Sequence, residues 1–264
     1  MKIIFIRHGE PDYNTDSLTK NGQIEAELLS KRVQNWDVTK FYSSPQGRAK
    51  ETAMPSLKAL NTEAEILDFM REFSYPIIDP ETNRHGVPWD FIPSKVSNTD
   101  CFYELEDGFL KAPVIKSNPD IELNYPQVIN GFDKLLEEYG YFRKDKYYIN
   151  KNSKERYLSS TVGPNNEIKD NGPELKDGEK ETVIVIFCHL GVTCLVLSHL
   201  LNIPFEVLTH SFFMPTSSVT ILTTEERWGH ETSFRLQAIG DVSHLRKENQ
   251  PISPAGLFAT PFQG

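Results

Sequence analysis

Lys2–Ile6 is an unbroken β-rich run in which every position after the first is apolar. A strand buried on both faces reads this way. The period then changes. Thr19 is a candidate N-cap for a helix running to about Asn35, with Ile24, Leu28, Leu29, Arg32 and Val33 near helical spacing. Lys40–Ser43 predicts a short second strand. The stretch "SPQGRAKETAMPSLKAL" predicts a helix with Pro45 near its first turn and a kink at Pro55. Ala64–Phe69 predicts a third strand. Strand, helix, strand, helix, strand is the signature of a parallel sheet with right-handed crossovers.

The pattern breaks from Ser74 to Gly131, where Pro, Asn, Asp and aromatics occur without a sustained period. Tyr125–Tyr139 predicts a helix and Tyr147–Tyr157 a hairpin strand pair. "TVGPNNEIKDNGPELKDGEKE" is polar and rich in turn residues, so it is expected to be exposed. Regular spacing returns with a strand at Thr182–Phe187, a helix from about Gly191 to Leu201, and strands at Ser218–Thr223 and Ser233–Ile239. No internal repeat is present. The expected fold is a three-layer, doubly wound α/β domain over residues 1–264, a mostly parallel sheet with helices on both faces. Residues 74–181 form an inserted subdomain or cap within it.

Composition narrows the function. The chain carries 37 acidic and 28 basic residues, a net charge of −9. That balance argues against a nucleic-acid partner or a membrane surface. Cys101, Cys188 and Cys194 are too few and too scattered for a disulfide framework. No apolar run is long enough for a membrane span, and the N-terminal run is too short for a signal peptide. A cytoplasmic protein is the expectation.

In open parallel sheets, ligands bind at the carboxyl ends of the strands. Arg7 and His8 follow the first predicted strand. Arg48 lies in the first turns of the helix after the second, Glu72 follows the third, and His189 follows Thr182–Phe187. A lone strand-end Arg is more often part of a surface ion pair, and a lone His more often structural. Such residues at four strand ends together point to chemistry. Paired guanidiniums bind an oxyanion through forked hydrogen bonds. A central imidazole is a covalent nucleophile. A phosphoryl group satisfies both. The cost of placing Arg7 beside His8 then acquires a use, because neighbouring cations disfavour imidazolium and hold His8 neutral. The helix starts near Pro45 and Gly191 add N–H donors for an anion. The histidines have no metal-ligand spacing, and arginines beside His8 repel a cation, so no metal and no cofactor are expected.

These residues resemble the histidine phosphatase superfamily, the phosphoglycerate mutase-like proteins. Arg7-His8-Gly9 is its hallmark. "RHGEPDYN" matches the branch that reads R-H-G-E-T-x-W-N, with Pro11 and Tyr13 in place of Thr and Trp. "LTKNG" matches L-T-x-x-G. "SSPQGRAKETA" resembles S-S-x-L-x-R-A-x-x-T-A, and "FCHLGV" resembles S-H-G-G-V with Leu190 in place of Gly. "SSVTIL" and "IGDVSHL" resemble the late strand and tail motifs. His189-Leu190 does not match the H-D motif of the other branch. The resemblance covers about Met1–Glu72 and Thr182–Leu245.

The resemblance implies roles. His8 is phosphorylated, Arg7, Arg48 and His189 hold the phosphoryl oxygens, and Asn14 adds a donor. Glu72 protonates the leaving oxygen and later deprotonates water, with Glu10, Asp79 and Asp90 as alternatives. The expected activity is a phosphomonoester hydrolase acting on a small phosphorylated metabolite. Phosphoglycerate mutase-type transfer and a non-catalytic phosphate-binding or regulatory module are the alternatives. Only Thr15, Asp16 and Ser17 separate Asn14 from Leu18, where the mutases have a longer loop, and a wetter site favours hydrolysis. In the insertion, Trp89, Phe91, Phe102, Tyr103 and Tyr125 either wall a pocket over the phosphate site or make the insertion's own core. The oligomeric state stays open.

Overall fold

A computed structural model describes residues 1–152, 161–162, 168–169, 180–226, 230–256 and 259–263. The central sheet is built from β1 (Lys2–Arg7), β2 (Lys40–Ser43), β3 (Ala64–Ile66), β4 (Tyr141–Lys144), β5 (Tyr147–Asn150), β6 (Val183–Cys188), β7 (Val219–Glu226) and β8 (Glu231–Asp241). Its order is β3-β2-β6-β1-β7-β8-β5-β4. The β3, β2, β6 and β1 block is parallel, and β7, β8, β5 and β4 extend it by antiparallel pairing. Its helices are α1 (Lys20–Val33), α2 (Gly47–Leu60), α3 (Pro93–Ser97), α4 (Pro119–Glu138), α5 (Leu190–Leu201), α6 (Phe205–Ser211) and α7 (Ser243–Arg246).

Period-two alternation in β1 sorts its side chains between two cores. Ile4 and Ile6 join Leu29 and Val33 of α1, Ala53 of α2 and Val185 and Phe187 of β6. Ile3 and Phe5 join Ile184 and Ile186 of β6, Phe132 of α4 and Leu195 of α5. The sheet is therefore covered on both faces, as the apolar runs of β1 and β6 require. Phe73, Phe102 and Phe109 belong to the same core as Phe5, and the Phe5 and Phe132 rings lie 5.8 Å apart. The aromatic-rich segment after Ser74 thus packs onto the sheet. Phe102 is buried in this shared core, Tyr103 is exposed, and Trp89, Phe91 and Tyr125 lie at its margin.

Local signals explain most boundaries. Thr19 caps α1, its hydroxyl accepting from Gly22 N at 3.0 Å. Pro55 lies inside α2, and left-handed Asn61 ends that helix. Three expectations need correction. The third strand stops at Ile66, because residues 68–70 turn into a 3₁₀ segment that aims Glu72 back toward the sheet. The helix expected at Tyr125 begins six residues earlier, where Asn118 caps Asp120 N and Pro119 occupies the first turn; Pro126 lies inside this helix. The hairpin is β4–β5, turning at left-handed Asp145; it starts six residues before the Tyr147–Tyr157 expectation and shares only Tyr147–Asn150 with it, while residues 153–157 fall outside the described residues. Most of the polar stretch 161–181 also falls outside them. Among the described residues, no helix is long and apolar enough to cross a membrane, and no group of three or more His, Cys, Asp or Glu is placed to hold a metal ion.

Candidate active site

The carboxyl ends of β1, β2 and β6 lie side by side, and this brings Arg7, His8, Arg48 and His189 together. Arg7 pairs with Cys188 in the β1–β6 register, so His8 and His189 leave the sheet as neighbours, with ring centroids 5.2 Å apart. His8 is fixed by its backbone from both sides: its N–H donates to Cys188 O at 2.9 Å and its carbonyl accepts from Ser217 N at 3.0 Å. Its ring Nδ1 lies 2.7 Å from Gly9 O. A carbonyl only accepts, so Nδ1 carries the proton and Nε2 keeps the lone pair.

Burial is the first cause holding the His8 imidazole well below its ordinary pKa, followed by Arg7 and, more weakly, Arg48. His189 is depressed in the same way, by burial and then by His8, Arg48 and Arg7. The juxtaposition of Arg7 and His8 thus yields a neutral imidazole among fixed cations.

Both arginines are buried and held by the protein. Arg7 donates from Nη1 to Met214 O at 2.7 Å and from Nη2 to Ala255 O at 3.2 Å. Gly256 packs on the same guanidinium at φ +67°, and a Cβ there would lie 2.5 Å from Arg7 Nη2. Arg48 Nη1 donates to Asp16 Oδ1, while Asp16 Oδ2 accepts from Gly47 N at 2.6 Å. Gln46 supplies no side-chain cap to α2, so the Asp16 carboxylate caps that helix from a distant loop and orients Arg48 at once. Thr52 ties α2 to the loop after β1, donating to Arg48 O and accepting from Gly9 N. Ser44 Oγ lies 2.8 Å from His189 Nε2.

Three buried nitrogens of this cluster, Arg7 Nε, Arg48 Nε and His189 Nδ1, have no hydrogen-bond partner among the described residues. Buried donors are almost always satisfied. Three in one cluster mark a place for an acceptor from outside the chain.

Glu72 reaches the cluster from the turn after β3. Its Oε1 accepts from Phe73 N at 2.9 Å and Val192 N at 3.1 Å. Burial is the largest influence and raises its pKa, against the pull of those N–H groups and of Arg7 and Arg48. The other carboxylates fit proton donation less well. Glu10 accepts from Thr19 and Asn21 and is held ionised. Asp79 pairs with Lys95 at 3.5 Å, and its pKa is lowered chiefly by the backbone N–H of Glu81. Asp90 lies next to Trp89. Asn14 is exposed at the tip of the loop between Pro11–Asp12 and Ser17–Leu18, where its N–H donates to Asp12.

Sequence reasoning passed over Asp16, Ser44 and Thr52, although Ser44 and Thr52 stand inside a quoted motif. It also passed over Glu25. This carboxyl is fully buried beneath the loop after β1, accepting from Glu10 N at 2.9 Å and Thr216 Oγ1 at 3.0 Å. It forms no ion pair among the described residues, and burial pushes it up to about 7. A carboxyl with a raised folded-state pKa stabilises the fold in its neutral form. That contribution is complete below the unfolded value and disappears as pH rises through about 7. Glu25→Gln is therefore expected to match wild-type stability near pH 5 and exceed it near pH 8 by ~2 kcal/mol, a rise of several degrees in Tm. Thermal melts of both proteins across pH check this.

Residues 3–85 match the family model for the histidine phosphatase superfamily (branch 1). Through this stretch the chain is similar to the histidine phosphatase superfamily. A Schizosaccharomyces pombe protein named as a probable phosphatase is 34% identical over 79 residues, 26% of this chain and 28% of that protein. A Hydrogenobacter thermophilus protein whose name refers to phosphoserine phosphatase is 30% identical over 83 residues, 28% of this chain and 41% of that protein. The chain thus matches less than half the length of either curated relative. Among solved structures, a phosphoserine phosphatase mutant from Entamoeba histolytica in complex with phosphoserine aligns over 92% of this chain and 98% of its own, with TM-score 0.51 and 19% identity. A mycobacterial glucosyl-3-phosphoglycerate phosphatase aligns over 90% and 98%, with TM-score 0.53 and 16% identity. These two likenesses are of fold. The match to the superfamily model ends at His85, so most of residues 74–181 lies beyond it.

Proposed function

We propose that this protein is a phosphomonoester hydrolase that passes through a phosphohistidine on His8. The observation that carries the reading is the group of buried, unpartnered nitrogens Arg7 Nε, Arg48 Nε and His189 Nδ1 around a neutral imidazole. A dianionic phosphoryl group supplies an acceptor for each and relieves the repulsion among the cations. Phosphatases among the relatives and fold neighbours support the same chemistry.

In this mechanism the His8 Nε2 lone pair attacks phosphorus as the bond to the leaving oxygen breaks. Ser44 donates its hydroxyl proton toward His189 Nε2, so His189 Nδ1–H faces the phosphoryl oxygens. Glu72 Oε1 is occupied by two backbone N–H groups, which leaves Oε2 to carry the proton given to the leaving alkoxide. The resulting carboxylate then takes a proton from water as its oxygen attacks phosphorus and the N–P bond of His8 breaks. Asn14, on its exposed loop, has room to turn toward bound substrate. Residues 74–181 act as the cap that shapes the leaving-group side. The substrate class is a small phosphorylated metabolite, with inorganic phosphate as product.

A panel of phosphorylated metabolites and an aryl phosphate tests the reading. The expected profile of kcat/KM against pH is a bell. Its acid limb falls below the ordinary imidazole value, because His8 stays unprotonated there. Its basic limb lies above the ordinary carboxylate value, because Glu72 keeps its proton there. No hydrolysis of any member, or isomerisation of phosphoglycerate faster than its hydrolysis, rejects the reading.

A further inference from the structure

The hydrolase reading gives no individual side chain of residues 74–181 a role, yet one of them shares a single point on α5 with Glu72. We propose that Trp89 is a positioning residue for Glu72, its indole edge sealing the carboxyl at the start of α5 from water so that the proton taken by the departing alkoxide is kept there. This rests on the hydrolase reading.

Three groups meet at one point. Gly191 is the second residue of α5, and a Cβ on it would stand 2.4 Å from Trp89 Nε1, 2.7 Å from Trp89 Cδ1 and 2.8 Å from Glu72 Oε1. Only glycine leaves room for the indole edge and the carboxyl to press together onto the helix. The indole is also anchored. Its Nε1–H donates to Phe73 O at 3.1 Å, and the N–H of the same residue donates to Glu72 Oε1. Trp89 therefore holds the carbonyl of the residue whose N–H orients the acid. Half-buried against the shared core, the indole has little freedom to leave.

The surrounding charges show what this contact opposes. Arg7 from the end of β1 and Arg48 from α2 both favour ionised Glu72. Cys188 of β6 and Cys194 of α5 face it as buried neutral thiols. Asp90, beside Trp89, acts on His210 of α6. Against two arginines and two backbone N–H groups, exclusion of water is what keeps a carboxyl neutral. With the indole removed, water enters, the pull of the arginines on the ionised form gains weight, and Glu72 gives up its proton at lower pH.

The test follows the Glu72 carboxyl carbon by NMR in protein labelled at glutamate, with Glu72→Gln for assignment, in wild type, Trp89→Phe and Trp89→Ala. Thermal melts establish that each variant is folded. The titration midpoint of Glu72 is expected to fall by about one pH unit or more in Trp89→Ala and by less in Trp89→Phe. The basic limb of kcat/KM moves with it. Hydrolysis of an alkyl phosphate near neutral pH falls by roughly 10- to 100-fold, and that of an aryl phosphate, whose leaving group needs no proton, by less than about 3-fold. An unmoved midpoint in folded Trp89→Ala, or equal losses for both substrates, overturns the proposal. If wild type hydrolyses no phosphomonoester, the hydrolase reading fails by itself, and the NMR midpoint still decides whether Trp89 controls Glu72.

Discussion

His8→Ala is expected to lower kcat/KM for every phosphomonoester substrate by about 10⁴-fold or more, because it removes the bond-forming atom and leaves only binding and charge stabilisation. The fold should survive. His8 is small and held by its backbone through Cys188 and Ser217, and alanine keeps both of those hydrogen bonds. Phosphate affinity is therefore expected to persist in His8→Ala while turnover disappears. Two measurements check this: rapid acid-free quenching for a phosphorylated protein, present in wild type and absent in the variant, and calorimetric titration with inorganic phosphate. A variant that turns over like wild type would refute His8 as nucleophile. The contrast with Arg7 and Arg48 is informative, since replacing either removes the Nε donor that the anion needs and should weaken phosphate binding together with rate.

Glu72→Gln is expected to lower hydrolysis of alkyl phosphates by about 10²- to 10⁴-fold near neutral pH and that of aryl phosphates less in the first step. The amide keeps an oxygen for Phe73 N and Val192 N, so the local turn persists, but it has no proton to transfer. The basic limb of the pH profile should vanish with it. Phosphohistidine should also accumulate, because no base remains to activate the attacking water. Asp79→Asn and Asp90→Asn serve as controls. Asp79 is committed to Lys95 on the insertion. Full activity in Glu72→Gln alongside loss in either control would transfer the acid role.

Most of what makes this chain an α/β protein was legible locally. The apolar runs of β1 and β6, the Thr19 cap and the 3.6-residue spacing of α1 are written in contiguous residues, because strand and helix periods repeat over a few positions. Arg7, His8, Arg48, Glu72 and His189 were legible too, since each follows a strand that the pattern predicts, and a parallel sheet gathers strand ends along one edge. The turn at Asp145 and the early start of α4 were obscured by Pro126 and by aromatic residues that fit strand and helix equally well.

The tertiary structure alone decided how those residues are poised. Asp16 caps a helix 31 positions away, Ala255 O meets Arg7 across 248, and Trp89 meets Gly191 across 102. Two of these contacts involve a backbone carbonyl or an absent Cβ, which carry no residue-type signal. The pKa directions are equally nonlocal. Arg7 beside His8 announces a depressed imidazole in the sequence, but the larger cause is burial, and burial is a property of the packed sheet, loops and helices together. The same is true of Glu72 and Glu25, two carboxyls indistinguishable in sequence from any solvated glutamate. Sequence supplied the candidate groups and their order. Folding removed the water around them, and that removal sets which of them is neutral, which is charged and which holds a proton to give.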